Sequence, residues 1–205
     1  MPRNGRALGI FVKAPSPGRV KTRLAAAIGA AAAATLYRRL GRRVVEATVG
    51  SGYRTTVWFT PAGRGPEVRR WLAGTGRVAF RPQRGAGLGA RLIHAFAREF
   101  AAGAGRVVIV GSDCPAVHRR VIRAAFTALG THDVVLGPAL DGGYYLIGLA
   151  APRPALFRAV AWSTAAVARE TRARAGALGL SCRLLRPLRD VDTVRDARAW
   201  GLLNS

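Results

Sequence analysis

Apolar and polar positions along the chain change their period repeatedly, and the changes mark out elements. Two-residue alternation or an unbroken apolar run marks a strand; apolar positions three and four apart mark a helix. Ala7–Lys13 reads as the first strand, and Thr22–Gly50 as largely helix with a break at Gly29. Thr55–Thr60 is a strand closed by Pro61-Ala62-Gly63, Glu67–Ala73 a short helix and Arg77–Arg81 a short strand. Gly85–Gly89 is a loop leading into an amphipathic helix, Ala90–Ala102, with Leu92, Ile93, Phe96, Ala97 and Phe100 on one face. Arg106–Gly111 is the most strand-like run and belongs at the centre of a sheet. A helix (Arg119–Leu129) and two strands (Asp133–Gly137, Tyr144–Leu149) follow. A helix that Ser163 or Thr164 can cap runs to about Leu178, then come a strand (Ser181–Leu185) and a last helix (Thr193–Trp200).

Strands alternating with helices, with no repeat or linker, predict an α/β fold. The expected architecture is a single-domain three-layer α/β/α sandwich around a mostly parallel mixed sheet, spanning residues 1–205. In such sheets ligands bind beyond the carboxyl ends of the strands. The motifs that follow Val12, Val110 and Gly137 should therefore converge on one crevice.

Composition narrows the class. Half of the residues are hydrophobic, which excludes disorder. The apolar run Ala7–Val12 is too short for a signal peptide or a membrane span, and Ala25–Ala34, broken by Gly29, reads as helix. A soluble cytoplasmic protein without a membrane partner, monomeric or homodimeric, is the expectation. Cys114 and Cys182 are too few for a disulfide framework and lack metal-ligand spacing. The net charge of +23 points towards nucleic acid. Yet the arginines are dispersed, no nucleic-acid motif occurs, and only Lys13 and Lys21 are lysines among 33 basic residues. That skew looks like coding bias in a GC-rich genome, so no specific nucleic-acid partner is expected. A positive surface still attracts phosphorylated small molecules.

The chemistry sits in a few loop motifs. Phe11-Val12-Lys13-Ala14-Pro15-Ser16-Pro17-Gly18-Arg19-Val20-Lys21-Thr22-Arg23-Leu24 runs from a strand through a Pro/Gly loop into a helix start. Helix N-termini attract anions, and Lys13, Arg19, Lys21 and Arg23 add charge, so phosphate binding is favoured over an ordinary turn. In Gly111-Ser112-Asp113-Cys114-Pro115, Asp113 after a central strand is placed to hold Mg²⁺ or Mn²⁺ against a diphosphate, or to cap the following segment. Cys114 is read as a structural thiol. In Asp141-Gly142-Gly143-Tyr144-Tyr145, Asp141 is a base or substrate contact, and Asp-Gly is equally a hairpin turn. In Asp190-Val191-Asp192-Thr193, alternate carboxylates of an extended segment face opposite ways. Asp192 is preferred as second metal ligand, with helix capping as the other reading. Trp162-Ser163-Thr164 could contact an acceptor or cap a helix. Gly85-Ala86-Gly87-Leu88-Gly89 resembles a dinucleotide fingerprint only loosely, with no acid about twenty residues on, and NAD binding is rejected.

As a set, and in order along nearly the whole chain, these motifs resemble small bacterial transferases with the glycosyltransferase-A, or nucleotide-diphospho-sugar transferase, fold. These are the radical-SAM/selenodomain-associated transferases and arsenosugar-biosynthesis-type glycosyltransferases. The matching residues include Ala14, Pro15 and Gly18, Gln83 with Leu88-Gly89 and Arg91, and the blocks around Asp113, Asp141, Trp162 and Asp190-Val191-Asp192-Thr193. More distantly the chain is similar to phospholactate and molybdenum-cofactor guanylyltransferases. The resemblance implies a metal-dependent glycosyltransferase with a nucleotide-diphosphate sugar donor and a small-molecule acceptor. Lys13, Ala14, Pro15, Gly18, Arg19, Lys21, Arg23, Gln83 and Arg91 would bind the nucleotide, and Asp113 and Asp192 the metal. Asp113 and Asp141 would be catalytic. Asp141, Gly142, Gly143, Tyr144, Trp162, Ser163 and Thr164 would face sugar or acceptor. The alternative is a nucleotidyltransferase passing NMP from NTP to a phosphorylated small molecule. The chain departs from the family at Gly87 and Ala90, where acids are usual.

Overall fold

Among the described residues, 5–50 and 52–203 of the computed structural model, seven strands form one sheet. They are β1 (Gly5–Lys13), β2 (Arg54–Thr60), β3 (Ala79–Pro82), β4 (Ala104–Gly111), β5 (Val134–Pro138), β6 (Tyr144–Leu149) and β7 (Cys182–Leu184). Their order is β3-β2-β1-β4-β6-β5-β7, parallel except for β6, which runs antiparallel to β4 and β5. The helices are α1 (Thr22–Ile28), α2 (Ala30–Thr48), α3 (Gly65–Trp71), α4 (Gly87–Ala101), α5 (Arg119–Ala128), α6 (Val167–Ala177) and α7 (Val194–Ala199). The chain winds outward from β1 through β2 to β3, then returns to lay β4 on the other side of β1. That reversal opens a crevice at the carboxyl ends of β1 and β4.

Alternation along the central strands divides the core into two layers. Leu8, Ile10 and Val12 of β1 and Val108 and Val110 of β4 cluster with apolar residues of α1, α2, α3, α5 and α7. Ala7, Val107 and Ile109 cluster with α4, α6 and the short turn Pro154–Phe157. Both faces are covered, which is why these strands read as near-continuous apolar runs. Each fully buried Leu or Ile contributes roughly 1.5–3 kcal/mol through burial.

The expected break at Gly29 is present: Gly29 adopts φ 83° and separates α1 from α2. Most element starts fall within two residues of expectation; two helix starts differ more. Helix α4 begins at Gly87 rather than Ala90, and Gly87 turns the chain into it with φ 79°, a left-handed value that glycine adopts without steric cost. Helix α6 begins at Val167, and neither Ser163 nor Thr164 caps it. Thr164 Oγ1 instead donates to Ala161 O at 2.8 Å and accepts from Ala166 N at 3.3 Å, so the hydroxyl closes a local turn. No helix among the described residues is long and apolar enough to cross a membrane.

Candidate active site

A cleft of about 500 Å³ lies where the loops after β1 and β4 meet. Its first wall is the basic loop. Ala14 N donates to Thr60 O at 2.8 Å, fixing the exit of β1 against β2, and Ala14 and Val20 are buried. Lys13, Lys21, Thr22 and Arg23 line the cleft. Lys21 stands just before α1 with φ 48° and ψ 49°, a left-handed conformation uncommon outside glycine. This backbone turn carries its side chain inward, where it is only 4% exposed.

The second wall is Gly111-Ser112-Asp113-Cys114. Asp113 Oδ1 lies 2.5 Å from Lys21 Nζ, and Asp192 Oδ1 lies 2.9 Å from the same nitrogen. Burial lowers the Lys21 pKa, but Asp113 and then Asp192 outweigh it and hold the ammonium above its ordinary value. Asp113 therefore does not cap the next helix; His118 does, its Nδ1 accepting from Arg120 N at 3.2 Å. Cys114 is buried, and burial first, then the Asp190 charge, pushes its thiol up to about 12, as befits a structural cysteine.

The segment 189–192 is seated on that loop. Val191 N donates to Asp113 O at 3.0 Å, Cys114 Sγ contacts Arg189 O at 3.3 Å, and the Val191 side chain is fully buried. Both Asp190 and Asp192 line the cleft. The expectation that only one could do so assumed a regular strand, whereas this segment is irregular. Nor does Asp192 cap α7: Thr193 does, in a reciprocal capping box with Asp196. Asp190 is the least satisfied of the acids. Its Oδ1 is buried with no hydrogen-bond partner. Burial, then the charges of Asp113 and Asp141, push its pKa up to about 7.

Asp141 sits in the β5–β6 hairpin, exposed and outside the lining of the cleft. Its Oδ1 accepts from Gly143 N at 2.9 Å while Ala139 N donates to Gly143 O, so the hairpin reading holds. Its charge nonetheless reaches Asp190. On the far side Leu88, Arg91, Tyr144 and Ser163 complete the lining. Trp162 stands behind Tyr144, ring to ring at 6.3 Å and nearly perpendicular.

The structure thus gathers Lys13, Lys21, Arg23, Gln83, Arg91, Asp113, Tyr144, Ser163 and Asp192 around one space. Ala14, Pro15, Gly18, Arg19, Gly142, Gly143, Trp162 and Thr164 shape the surrounding loops without lining it. Gln83 also braces the fold. Its Nε2 donates to Trp58 O at 2.8 Å and Val12 O at 3.3 Å, clamping the exits of β1 and β2. Sequence reasoning missed Tyr37, whose hydroxyl accepts from Lys13 N at 2.9 Å and joins Ser112 Oγ at 2.9 Å. Its position in the buried stripe of a long helix was the available signal, because a buried phenol needs a partner.

Among the described residues no three His, Cys, Asp or Glu groups are gathered closely enough to hold a metal ion by themselves. One or two carboxylates are nevertheless sufficient for Mg²⁺ when phosphate oxygens and water fill the remaining positions. The carboxylates that line the cleft and are available for this are Asp113, Asp190 and Asp192.

Comparison with known proteins places this geometry in context. The model of a family described as uncharacterized protein conserved in bacteria (DUF2064) matches residues 44–164. A 3-phospho-D-glycerate guanylyltransferase from Phenylobacterium zucineum (strain HLK1) is 34% identical over 174 residues, covering 80% of this chain and 75% of that protein. A structure from Desulfovibrio desulfuricans G20, named as a nucleotide-diphospho-sugar transferase, is 33% identical with a TM-score of 0.89, covering 96% of this chain and 86% of that one. Rv0371c from Mycobacterium tuberculosis H37Rv, solved with manganese, is similar in fold alone. Its TM-score is 0.53 at 16% identity, over 97% of this chain and 98% of that one.

Proposed function

The chain belongs to the bacterial DUF2064 family and is a transferase of the nucleotidyl or nucleotide-sugar class, and from that premise we propose that it is a nucleotidyltransferase. It would move a nucleoside monophosphate, guanylate by analogy with the Phenylobacterium relative, from a nucleoside triphosphate to a small phosphorylated acid. The observation that carries this reading is the facing of a lysine-bearing anion loop and an aspartate cluster across one cleft.

Lys13, Lys21 and Arg23, which line the cleft, would hold the triphosphate. Asp113 and Asp190 would hold a divalent cation, which the manganese-bound fold relative also makes natural, with Asp192 beside them. When bound, that cation would neutralise charge on the phosphates. An oxygen of the acceptor phosphate attacks the α-phosphorus, the bond to the bridging oxygen breaks, and pyrophosphate leaves with the electron pair. Such an acceptor is already largely ionised near pH 7, so this reaction needs no general base. Asp141 then serves to orient the acceptor.

A second reading draws on the Desulfovibrio structure: a nucleotide sugar as donor and a hydroxyl as acceptor, with Asp141 as the base. The products separate the two. Incubation with GTP, Mg²⁺ and 3-phosphoglycerate or related phosphorylated acids, followed by phosphorus NMR, should give pyrophosphate and a new diphosphate signal. Turnover of nucleotide sugars to nucleoside diphosphate, with no reaction of any triphosphate, would overturn the proposal in favour of the second reading.

A further inference from the structure

The ammonium of Lys21 occupies ground that a metal ion would need. It lies 2.5 Å from Asp113 and 2.9 Å from Asp192, its side chain is almost wholly buried, and no other basic side chain makes an ion pair with either acid among the described residues. Arginine is this chain's default cation, and both lysines fall in this loop. The difference is chemical. An ammonium is a compact point charge on a flexible stem, whereas a guanidinium is a planar fork suited to one fixed bidentate partner. A compact charge can sit between two carboxylates as a small cation does, and can leave again without backbone movement. Its other destination is near: Lys13 and Arg23 line the same cleft and supply positive charge for a phosphate there.

Given the nucleotide-and-metal reading above, on which this inference rests, we propose that Lys21 is an internal counter-ion that sets the order of binding. In the free protein it neutralises Asp113 and Asp192 and disfavours a metal ion arriving alone. When metal and nucleotide arrive together, its ammonium passes from the carboxylates to the triphosphate, and Asp113, with Asp192 beside it, is released to the metal. Two observations support the coupling. A dication beside a buried ammonium is repelled strongly in a site of low dielectric. The protein groups by themselves do not complete a metal shell, so phosphate oxygens must supply the remainder.

The test is Mn²⁺ binding, followed by the paramagnetic resonance of the free ion, with and without GTP. Wild-type protein should bind Mn²⁺ weakly alone and at least tenfold more tightly with GTP. Lys21→Met keeps the length of the stem and removes the charge; it should bind Mn²⁺ alone at least tenfold better than wild type and lose most of the coupling. No gain in Mn²⁺ affinity for Lys21→Met overturns the counter-ion role. Asp113→Asn is the control for the underlying reading: if it binds Mn²⁺ with GTP as well as wild type does, the metal assignment itself falls, and the counter-ion role with it. Should Lys21→Met fail to fold, the wild-type protein suffices, because with two lysines its ¹⁵N-labelled side-chain spectrum is simple. The Lys21 signal should ignore millimolar Mg²⁺ alone and move with Mg²⁺ and a non-hydrolysable GTP analogue; movement with Mg²⁺ alone overturns the proposal.

Discussion

The hydroxyl of Tyr37 lies 2.9 Å from Ser112 Oγ and joins helix α2 to the loop that carries Asp113. Through its second bond, from Lys13 N, it also grips the exit of β1. One phenol thus fixes the spacing of the two cleft walls. In Tyr37→Phe the buried Ser112 hydroxyl and the Lys13 N–H both lose this partner. A cost of about 1–3 kcal/mol is expected, seen as a melting point lower by roughly 2–4 °C per kcal/mol in a chain of this size. Nucleotide affinity measured by calorimetry should fall as well. Unchanged melting and unchanged affinity together would show that the bond sets neither.

Asp190 makes the metal-free protein sensitive to pH. Its folded pKa, about 7, lies above the ordinary 3.8, so the folded state holds a proton that the unfolded state releases. The contribution is fully present below the unfolded value and is lost as pH rises through the folded one. Melting temperatures taken without metal should therefore fall between pH 4 and pH 8. Asp190→Asn should flatten this slope and melt higher than wild type at pH 8. A variant that follows the wild-type profile would remove Asp190 as its source.

Gly142 holds the hairpin that carries Asp141. Its φ is +90°, and a Cβ there would run into the backbone carbonyl of Ala165. Neither the backbone angle nor the space admits a side chain. Gly142→Ala should cost at least about 2 kcal/mol, since strain of this kind adds to the loss of packing. Denaturant titration gives the number directly; a midpoint within error of wild type would mean that residues 142 and 165 separate easily.

The two thiols should differ in reactivity. Cys114 is 1% exposed with its pKa pushed up to about 12, while Cys182 is only half-buried. The thiolate is the reactive form. A colorimetric disulfide reagent at pH 8 should titrate no more than one thiol in native protein and both in denaturant. Two fast equivalents in the native state would contradict the burial of Cys114.

Much of the fold was legible because period is a local property. The unbroken apolar run of β4, the stripe of α4 and the glycine break before α2 all announced themselves. What lay beyond reach were pairings between distant residues. Lys21 and Asp192 are 171 positions apart, and Tyr37 and Ser112 are 75. Their contacts depend on the return of the chain from β3 to β4, which no local pattern encodes. The expectation that only one of the two acids faces the cleft failed for a related reason. Alternation was applied to Asp190-Val191-Asp192 as though it were a strand, whereas Val191 is buried as an anchor and both flanking acids line the cleft. The capping readings for Ser163 and Thr164 failed because a hydroxyl near a helix start has rival partners in the preceding turn.

Strand β6 runs against its neighbours, so it begins, rather than ends, at the rim where β4 and β5 finish. One short hairpin, 139–143, therefore sits beside the cleft without belonging to the strands that bear the basic loop or Asp113. In the proposed reaction the phosphate-handling parts are locked together by Tyr37, Gln83 and Val191. The hairpin is tied down separately, by the backbone bonds that Ala168 N donates to Gly142 O and Leu140 N donates to Leu188 O. If the proposed roles hold, inheritance can work on the two unequally: the interlocked donor side tolerates little change, while the hairpin can be rewritten a few residues at a time, provided that Gly142 stays. A lineage of related enzymes could in this way keep one nucleotide and exchange the molecule that receives it.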